Sequence, residues 1–319
     1  MPALLVTRPL PDRVIAALDP AFATDVRSET SPVAPDAMAD ALAKYDAILP
    51  TLGDPLTAEV FGQATGLKTK ILANFGVGIN HIDVAVATAN GIAVTNTPGA
   101  VTDATADTAM TLILATCRRA GEGERELRAG RWKGWHPTQF LGMHVTGKTL
   151  GVIGMGRIGK AVAKRAALGF DMNVVFHNRS QVADPGVPAR QLSTLADVCA
   201  AADVVVIAVP ATPETHHIID AEALSAMQSH AVLVNIARGD VVDEAALISA
   251  LQDGAIGGAG LDVYEHEPIV PDALKAMENV TLLPHLGTAA LEVRENMGLM
   301  AVENLNAWLR GEPLPNLVS

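Results

Sequence analysis

The stretch Leu150-Gly151-Val152-Ile153-Gly154-Met155-Gly156-Arg157-Ile158-Gly159 constrains this chain more than any other. Residues 150–153 form a short apolar run of the kind a buried parallel strand requires, and from Ile158 onward small and apolar residues recur at helical spacing. Between the two runs the glycines fall as Gly154-x-Gly156-x-x-Gly159. Gly154 allows the tight strand-to-helix turn, Gly156 lets backbone approach a pyrophosphate, and Gly159 lets the helix lie close to the strand. The helix start at Arg157 and Ile158 offers unpaired N–H groups to an anion. A glycine triplet alone fits a surface turn as well as a nucleotide site. Set between a strand, a helix and a second strand at 173–176, it points to a dinucleotide.

With 319 residues the chain can build two domains and a large core. Its hydrophobic fraction is 49% but its aromatic fraction only 3%, so Val, Ile, Leu and Ala must fill the interior, as they do between sheets and helices of α/β folds. A formal charge of −12 argues against nucleic acid or an anionic membrane as partner, since either requires a concentrated basic face. Cys117 and Cys199 lie in apolar segments without metal-like spacing, and two buried reduced thiols fit a cytoplasmic protein. The first apolar run, residues 3–6, is too short for a signal peptide or a membrane span and reads as a strand. His216-His217 follows a turn and lacks a Cys or carboxylate array to complete a ligand set, so no metal is expected.

Strand and helix alternate along the chain. Strands are predicted at 3–7, 47–51, 71–74 and 93–95, with helices at 11–18, 36–44, 57–65 and 82–90 and a further short strand before Pro35. A long helix at 102–116 is suited to carry the chain into a second domain. After a charged helical face at 122–131 and an aperiodic arm, the glycine unit is followed by strands at 204–209, 231–235, 258–261 and 280–283, with helices at 195–200, 221–227 and 244–253. A last helix, 289–309, is expected to return to the N-terminal half. The predicted architecture is two doubly wound parallel-sheet domains. A Rossmann cofactor domain, 99–286, is inserted into a flavodoxin-like substrate domain, 1–98 with 287–319, leaving a cleft between them.

Arg238, Glu267 and His285 follow predicted strands of the cofactor domain, the end at which open α/β sheets place ligands. A cation, a carboxylate and an imidazole beside a nicotinamide make a 2-keto acid reductase. The cation takes the substrate's carboxylate and carbonyl, the imidazole gives the proton, and the carboxylate orients and charges the imidazole. Taken singly, each has a plainer reading: a helix-capping or surface-paired arginine, a solvated glutamate in a proline-bounded loop, a turn histidine.

Six ordered stretches remove that ambiguity: Asn74-Phe75-Gly76-Val77-Gly78-Ile79-Asn80-His81-Ile82-Asp83, Thr95-Asn96-Thr97-Pro98-Gly99, the glycine unit, Val234-Asn235-Ile236-Ala237-Arg238-Gly239, Gly260-Leu261-Asp262-Val263-Tyr264 with Glu267-Pro268, and Leu283-Pro284-His285-Leu286-Gly287. Through them the chain resembles the D-isomer-specific 2-hydroxyacid dehydrogenase family over essentially its whole length. The resemblance implies that Arg238 binds the keto acid, that His285 is the acid/base, and that Glu267 rather than Glu265 is its partner. It implies further that backbone at Gly76, Val77 and Gly78 holds the substrate carboxylate, that Thr105 and Asp262 contact the nicotinamide end, and that Val209-Pro210 lines the dinucleotide.

Within the family, the loop Pro50-Thr51-Leu52-Gly53 carries no Arg or Lys for a substrate phosphate and is similar to that of glyoxylate and hydroxypyruvate reductases. Leu52 is therefore placed at the substrate. Trp135 resembles a tryptophan that such enzymes contribute across a homodimer interface, and an ordinary interface aromatic is its alternative. Glu267, in place of glutamine, argues against formate as substrate, and the chain's end at Ser319 argues against a regulatory tail. After the strand at 173–176 comes His177-Asn178-Arg179-Ser180, with no acidic residue to accept from a ribose 2′-hydroxyl; Asn178, Arg179 and Ser180 suit a 2′-phosphate. NADP(H) is expected over NAD(H), the alternative being an Arg179 that stacks on adenine regardless of phosphate. The expected activity is reduction of a small unphosphorylated 2-keto acid. The rival is a dinucleotide-sensing, corepressor-like binding protein, or a dehydrogenase of the same family for another 2-hydroxy acid.

Overall fold

Five short strands make the sheet of the first unit: β1 (Ala3–Val6), β2 (Ala23–Val26), β3 (Ala47–Leu49), β4 (Ile71–Ala73) and β5 (Ala93–Thr95). All but β2 are aliphatic and largely buried, as strands must be when helices cover both faces of a sheet. β2 is exposed throughout and forms an edge. The strands run parallel in the order β2-β1-β3-β4-β5, the flavodoxin-like winding. This is a computed structural model describing residues 1–318; Ser319 lies outside the described residues. The first unit comprises Met1–Val101 and the chain from Ala289 on, and the second comprises Thr102–Thr288. The returning helix, Leu291–Leu309, buries Met297, Ala301 and Leu305. Its Trp308 stacks on Phe22 with ring centroids 6.2 Å apart, and Glu295 pairs with Arg13 at 3.0 Å.

The second unit is built on seven parallel strands: β6 (Thr149–Ile153), β7 (Asn173–His177), β8 (Ala189–Gln191), β9 (Val204–Ile207), β10 (Val232–Asn235), β11 (Gly258–Leu261) and β12 (Val280–Leu282). Their order, β12-β11-β10-β9-β6-β7-β8, is the Rossmann order extended by one strand. Both faces are packed. One core gathers Val205, Ile207, Leu233 and Leu261 under the helices 195–252, and the other gathers Val152, Val204, Val206 and Val234 under Thr102–Cys117 and Arg157–Phe170.

Three local features differ from the sequence expectation. β8 was not anticipated, because a three-residue edge strand with exposed Arg190 at its centre carries no apolar run. The short helix Asp272–Ala276 was also missed. The strand expected at 47–51 stops at Leu49 because buried Asp54 accepts hydrogen bonds from the Thr51 N–H (2.8 Å) and hydroxyl (3.2 Å), turning the chain. The charged segment before the arm forms the helix Ala120–Arg128, which buries no residue. Among the described residues no helix is long and apolar enough to cross a membrane.

Candidate active site

The glycine turn lies between β6 and β9, where the strand order reverses and doubly wound sheets open a crevice for a ligand. Gly154 has φ +98°, and a Cβ there would stand 2.7 Å from the Ala208 carbonyl oxygen and from Val209 Cγ1. At Gly159 a Cβ would be 2.1 Å from the Gly154 oxygen. At Gly156 it would meet nothing within 4 Å. Two glycines thus serve the protein's own packing, while the third leaves bare backbone at the start of the helix Arg157–Phe170. That combination fits a pyrophosphate. Val209 borders the turn and Pro210 beside it is exposed.

Asn178, at the end of β7, has a part that sequence did not disclose. Its Oδ1 accepts from the Met155 N–H at 3.2 Å, and its Nδ2 donates to the Ser180 carbonyl and hydroxyl at 3.0 and 3.3 Å. It braces the glycine turn against the loop that carries Arg179 and Ser180, both exposed. Glu214 is held below the usual carboxylate range, by the Thr212 hydroxyl first and more weakly by the Arg179 charge, so Arg179 lies within electrostatic reach of the loop after β9.

The trio is assembled by the ends of β10, β11 and β12. After β10, buried Asn235 holds the next turn through Ala237 N–H to its Oδ1 (3.0 Å) and its Nδ2 to the Arg238 carbonyl (2.8 Å). Gly239 then passes against Tyr264-Glu265, where a Cβ would lie 1.8 Å from the Tyr264 carbonyl carbon. Only glycine permits that approach, which brings Arg238 beside the loop bearing Glu267. One Arg238 Nη donates to the Ala237 carbonyl at 2.6 Å, and its Nε is buried without a partner among the described residues. Burial pulls the guanidinium down from its ordinary value, opposed by the charges of Glu267 and Asp240.

Glu267 Oε2 lies 2.8 Å from His285 Nδ1, and its Oε1 accepts from the Tyr264 N–H at 3.1 Å. Burial alone would raise this carboxyl. The hydrogen bond and charge of His285, the Tyr264 amide and the Arg238 charge outweigh it, and the net direction is down. Because the carboxylate can only accept, the facing Nδ1 carries a proton, and Nε2 is not used in this bond.

His285 itself adopts the left-handed φ of +55°. That conformation is held by Asp262, which is only 1% exposed. The Asp262 carbonyl accepts from the His285 N–H (2.9 Å), and its two carboxylate oxygens accept from Leu286 N–H (2.6 Å) and Gly287 N–H (2.8 Å). Thr105 adds a hydrogen bond from its hydroxyl to the Gly287 carbonyl at 3.1 Å. Thr105 and Asp262, expected at the nicotinamide, thus fasten the histidine turn. Tyr264, whose hydroxyl donates to the Leu283 carbonyl at 2.9 Å, also went unnoticed in sequence. Its only signal there was its place in a matching stretch.

In the first unit, Gly76, Val77 and Gly78 form a loop after β4. Buried Asn74 organises it, donating to the Gly76 and Gly78 carbonyls at 3.0 Å each and facing His81 Nε2 through Oδ1 at 3.1 Å. Asn96 Nδ2 donates to the Val77 carbonyl at 3.0 Å. The carbonyls of all three residues are thus engaged, and Val77 is exposed. Leu52 is exposed at the tip of the loop around Asp54. That loop has no cation of its own, but Arg8 reaches it from the end of β1, 3.4 Å from Asp54 Oδ1.

The arm beyond Ala120–Arg128 has no regular structure up to β6. It is anchored where Met143 N–H donates to the Cys117 carbonyl at 2.8 Å. Trp135 is 80% exposed and Leu141 65%. Among the described residues of this one chain, Trp135 is brought to no site.

Residues 110–287 match the family model described as D-isomer specific 2-hydroxyacid dehydrogenase, NAD binding domain. The chain is 43% identical to a glyoxylate reductase of Pyrococcus horikoshii and 44% identical to one of Korarchaeum cryptofilum, in both cases over 100% of this chain and 96% of the relative. Among solved structures it is similar to the NADPH-dependent glyoxylate/hydroxypyruvate reductase of Sinorhizobium meliloti in complex with NADP and malonate. That match has a TM-score of 0.87 and 36% identity, covering 100% of this chain and 97% of the other. The glycine turn, the strand orders and these full-length likenesses lead to one conclusion: the chain belongs to the D-isomer specific 2-hydroxyacid dehydrogenase family and is an oxidoreductase that uses a nicotinamide dinucleotide.

Proposed function

We propose that this protein reduces glyoxylate, hydroxypyruvate or a similar small unphosphorylated 2-keto acid to the D-2-hydroxy acid. The observation that carries the reading is the convergence of Arg238, Glu267 and His285 on neighbouring strand ends of the unit that bears the glycine turn. The full-length likeness to glyoxylate reductases supports the substrate class. When bound, the reduced dinucleotide supplies the hydride. Arg238 forks onto the substrate carboxylate and draws electron density toward the ketone oxygen, a task for which a planar guanidinium is suited. His285 Nε2 gives its proton to that oxygen as negative charge builds there. Glu267 fixes the ring through Nδ1, and the Tyr264 amide keeps the carboxylate in place. Asp262 and Thr105 set the height of the imidazole by gripping its turn.

An unphosphorylated substrate is supported by Arg8, whose charge is already committed to buried Asp54. NADPH is the preferred reductant, because residues 178–180, directly after β7, offer exposed Arg179 and Ser180 and no acidic side chain. The working form is a homodimer joined through the arm that exposes Trp135 and Leu141, and its place is the cytoplasm, with two free buried thiols. The test is steady-state turnover of glyoxylate, hydroxypyruvate, pyruvate and a phosphorylated keto acid with NADPH and NADH. The reading requires glyoxylate or hydroxypyruvate to give the highest kcat/KM; absence of turnover with every keto acid overturns it.

A further inference from the structure

His216 and His217 lie in the loop after β9, and Glu265 lies 48 residues beyond His217, in the loop after β11. From sequence the histidine pair has no third ligand. The fold supplies one: His217 Nε2 lies 3.0 Å from Glu265 Oε1, and one ligand atom from each of His216, His217 and Glu265 falls within 4.8 Å of the others. We propose that these three side chains bind a divalent transition-metal ion of the zinc class.

The donor set is the first reason. Two imidazole nitrogens and one carboxylate oxygen suit zinc, cobalt, nickel or copper, whereas calcium and magnesium take oxygen ligands. Spacing is the second. Bonds of about 2.0–2.1 Å at a tetrahedral angle put ligand atoms about 3.3 Å apart, and the 3.0 Å between His217 and Glu265 is within a few tenths of that. The imidazoles stack with centroids 3.9 Å apart and planes inclined by 26°, so small ring rotations turn one nitrogen of each toward a common point.

The frame that holds the ligands is built. His217 takes the left-handed φ of +50°, rare for a residue with a side chain. Its amide is fixed to the Asp240 carbonyl at 2.9 Å, and Ile219, two residues on, bridges to Val242. On the other side, Glu265 is held by the close pass of Gly239, and its N–H faces Glu244 Oε1 at 3.4 Å. His216 is exposed while the other two are half-buried, which leaves a way in and an outward coordination position for water. Glu265 and Glu267 share one loop but face different histidines, so the site is separate from the trio.

The full-length protein, stripped with EDTA, is titrated with cobalt(II), the spectroscopic stand-in for zinc. One cobalt per chain is expected, with the visible absorption of a four- or five-coordinate ion, and zinc displaces it. His216→Ala and Glu265→Gln each weaken binding by about tenfold or more, with thermal unfolding used to confirm that both variants fold. His230→Ala, which removes a histidine paired with Asp203 at 2.7 Å, leaves the titration unchanged. Failure of the parent to bind cobalt, or a visible band of undiminished affinity in both ligand variants, overturns the assignment. Because the readout is binding, it stands or falls independently of turnover.

Discussion

Gly239 and Tyr264 approach so closely that a Cβ on Gly239 would sit 1.8 Å from the Tyr264 carbonyl carbon and 2.0 Å from its oxygen. The obstructing atoms are backbone and cannot rotate away. Gly239→Ala must therefore push the loop 264–267 off the Arg238 turn. Overpacking of this kind costs about 1–3 kcal/mol or more, so a lowered Tm is expected together with a larger fall in kcat/KM than in dinucleotide affinity. A variant that keeps both the parent Tm and the parent turnover would show the contact to be looser than described.

Arg238 is the one cation of the trio, and its side chain is not part of the glycine turn. Arg238→Ala should lower kcat/KM for glyoxylate by about 10²–10³-fold, the scale of losing a principal charge-stabilising donor. Dinucleotide binding, read by fluorescence titration, should be largely retained. Arg238→Lys should rescue poorly, because one ammonium cannot reproduce two parallel hydrogen bonds. Substantial glyoxylate turnover in Arg238→Ala means the cation is misassigned.

The pH profile follows from Glu267. Its carboxyl is depressed despite burial, because His285, the Tyr264 amide and Arg238 all favour its charge. It is therefore ionised through the neutral range and loses its charge only as pH falls below the usual carboxylate range. Because Glu267 holds the His285 ring, reduction should decline on the acid side as that carboxyl takes a proton. Glu267→Gln keeps the shape but removes the charge, and should lower kcat/KM for reduction and abolish that acid limb. An unmoved acid limb with full activity would exclude Glu267 as the partner.

Arg179 decides the cofactor preference in this reading. A hydrogen bond to a charged group contributes roughly 1.5–3 kcal/mol, equivalent to about ten- to over a hundred-fold in affinity. Arg179→Ala should reduce the NADPH to NADH ratio of kcat/KM by a factor in that range while leaving the NADH value nearly constant. A parent enzyme that favours NADH contradicts the assignment outright.

The thiols should be silent in the native state. Burial pushes Cys117 up to about 12 and Cys199 up to about 11, so almost no thiolate forms at pH 8 and neither sulfur is accessible. Iodoacetamide should label neither in the folded protein and both after unfolding in guanidinium. Rapid labelling of the native chain at pH 8 would contradict this burial.

What the sequence determined by itself was whatever depends on near neighbours. The aliphatic runs of β6, β9 and β10 have one stable use, burial between helices, so the doubly wound class was legible. The spacing of Gly154, Gly156 and Gly159 was legible for the same reason: the turn, the bare backbone and the close helix all lie within six residues. Arg238, Glu267 and His285 stood out by their place after predicted strands, but only the family resemblance separated them from plainer readings, because single polar residues in loops carry no period. The family resemblance had already implied Glu267 for His285; the geometry of the pairings across sequence, and the partner of Glu265, came from tertiary structure. Glu265 and Glu267 are chemically identical, two residues apart in a loop; the path of that loop, set by Gly239 against Tyr264, gives Glu267 to His285 at 2.8 Å and Glu265 to His217 at 3.0 Å. Asp262 likewise reads as an acidic residue at a strand end, and its grip on the Leu286 and Gly287 amides exists only because β11 and β12 lie side by side. A hydrogen bond depends on tenths of an ångström between atoms that the chain brings together only on folding, and no local pattern encodes that distance.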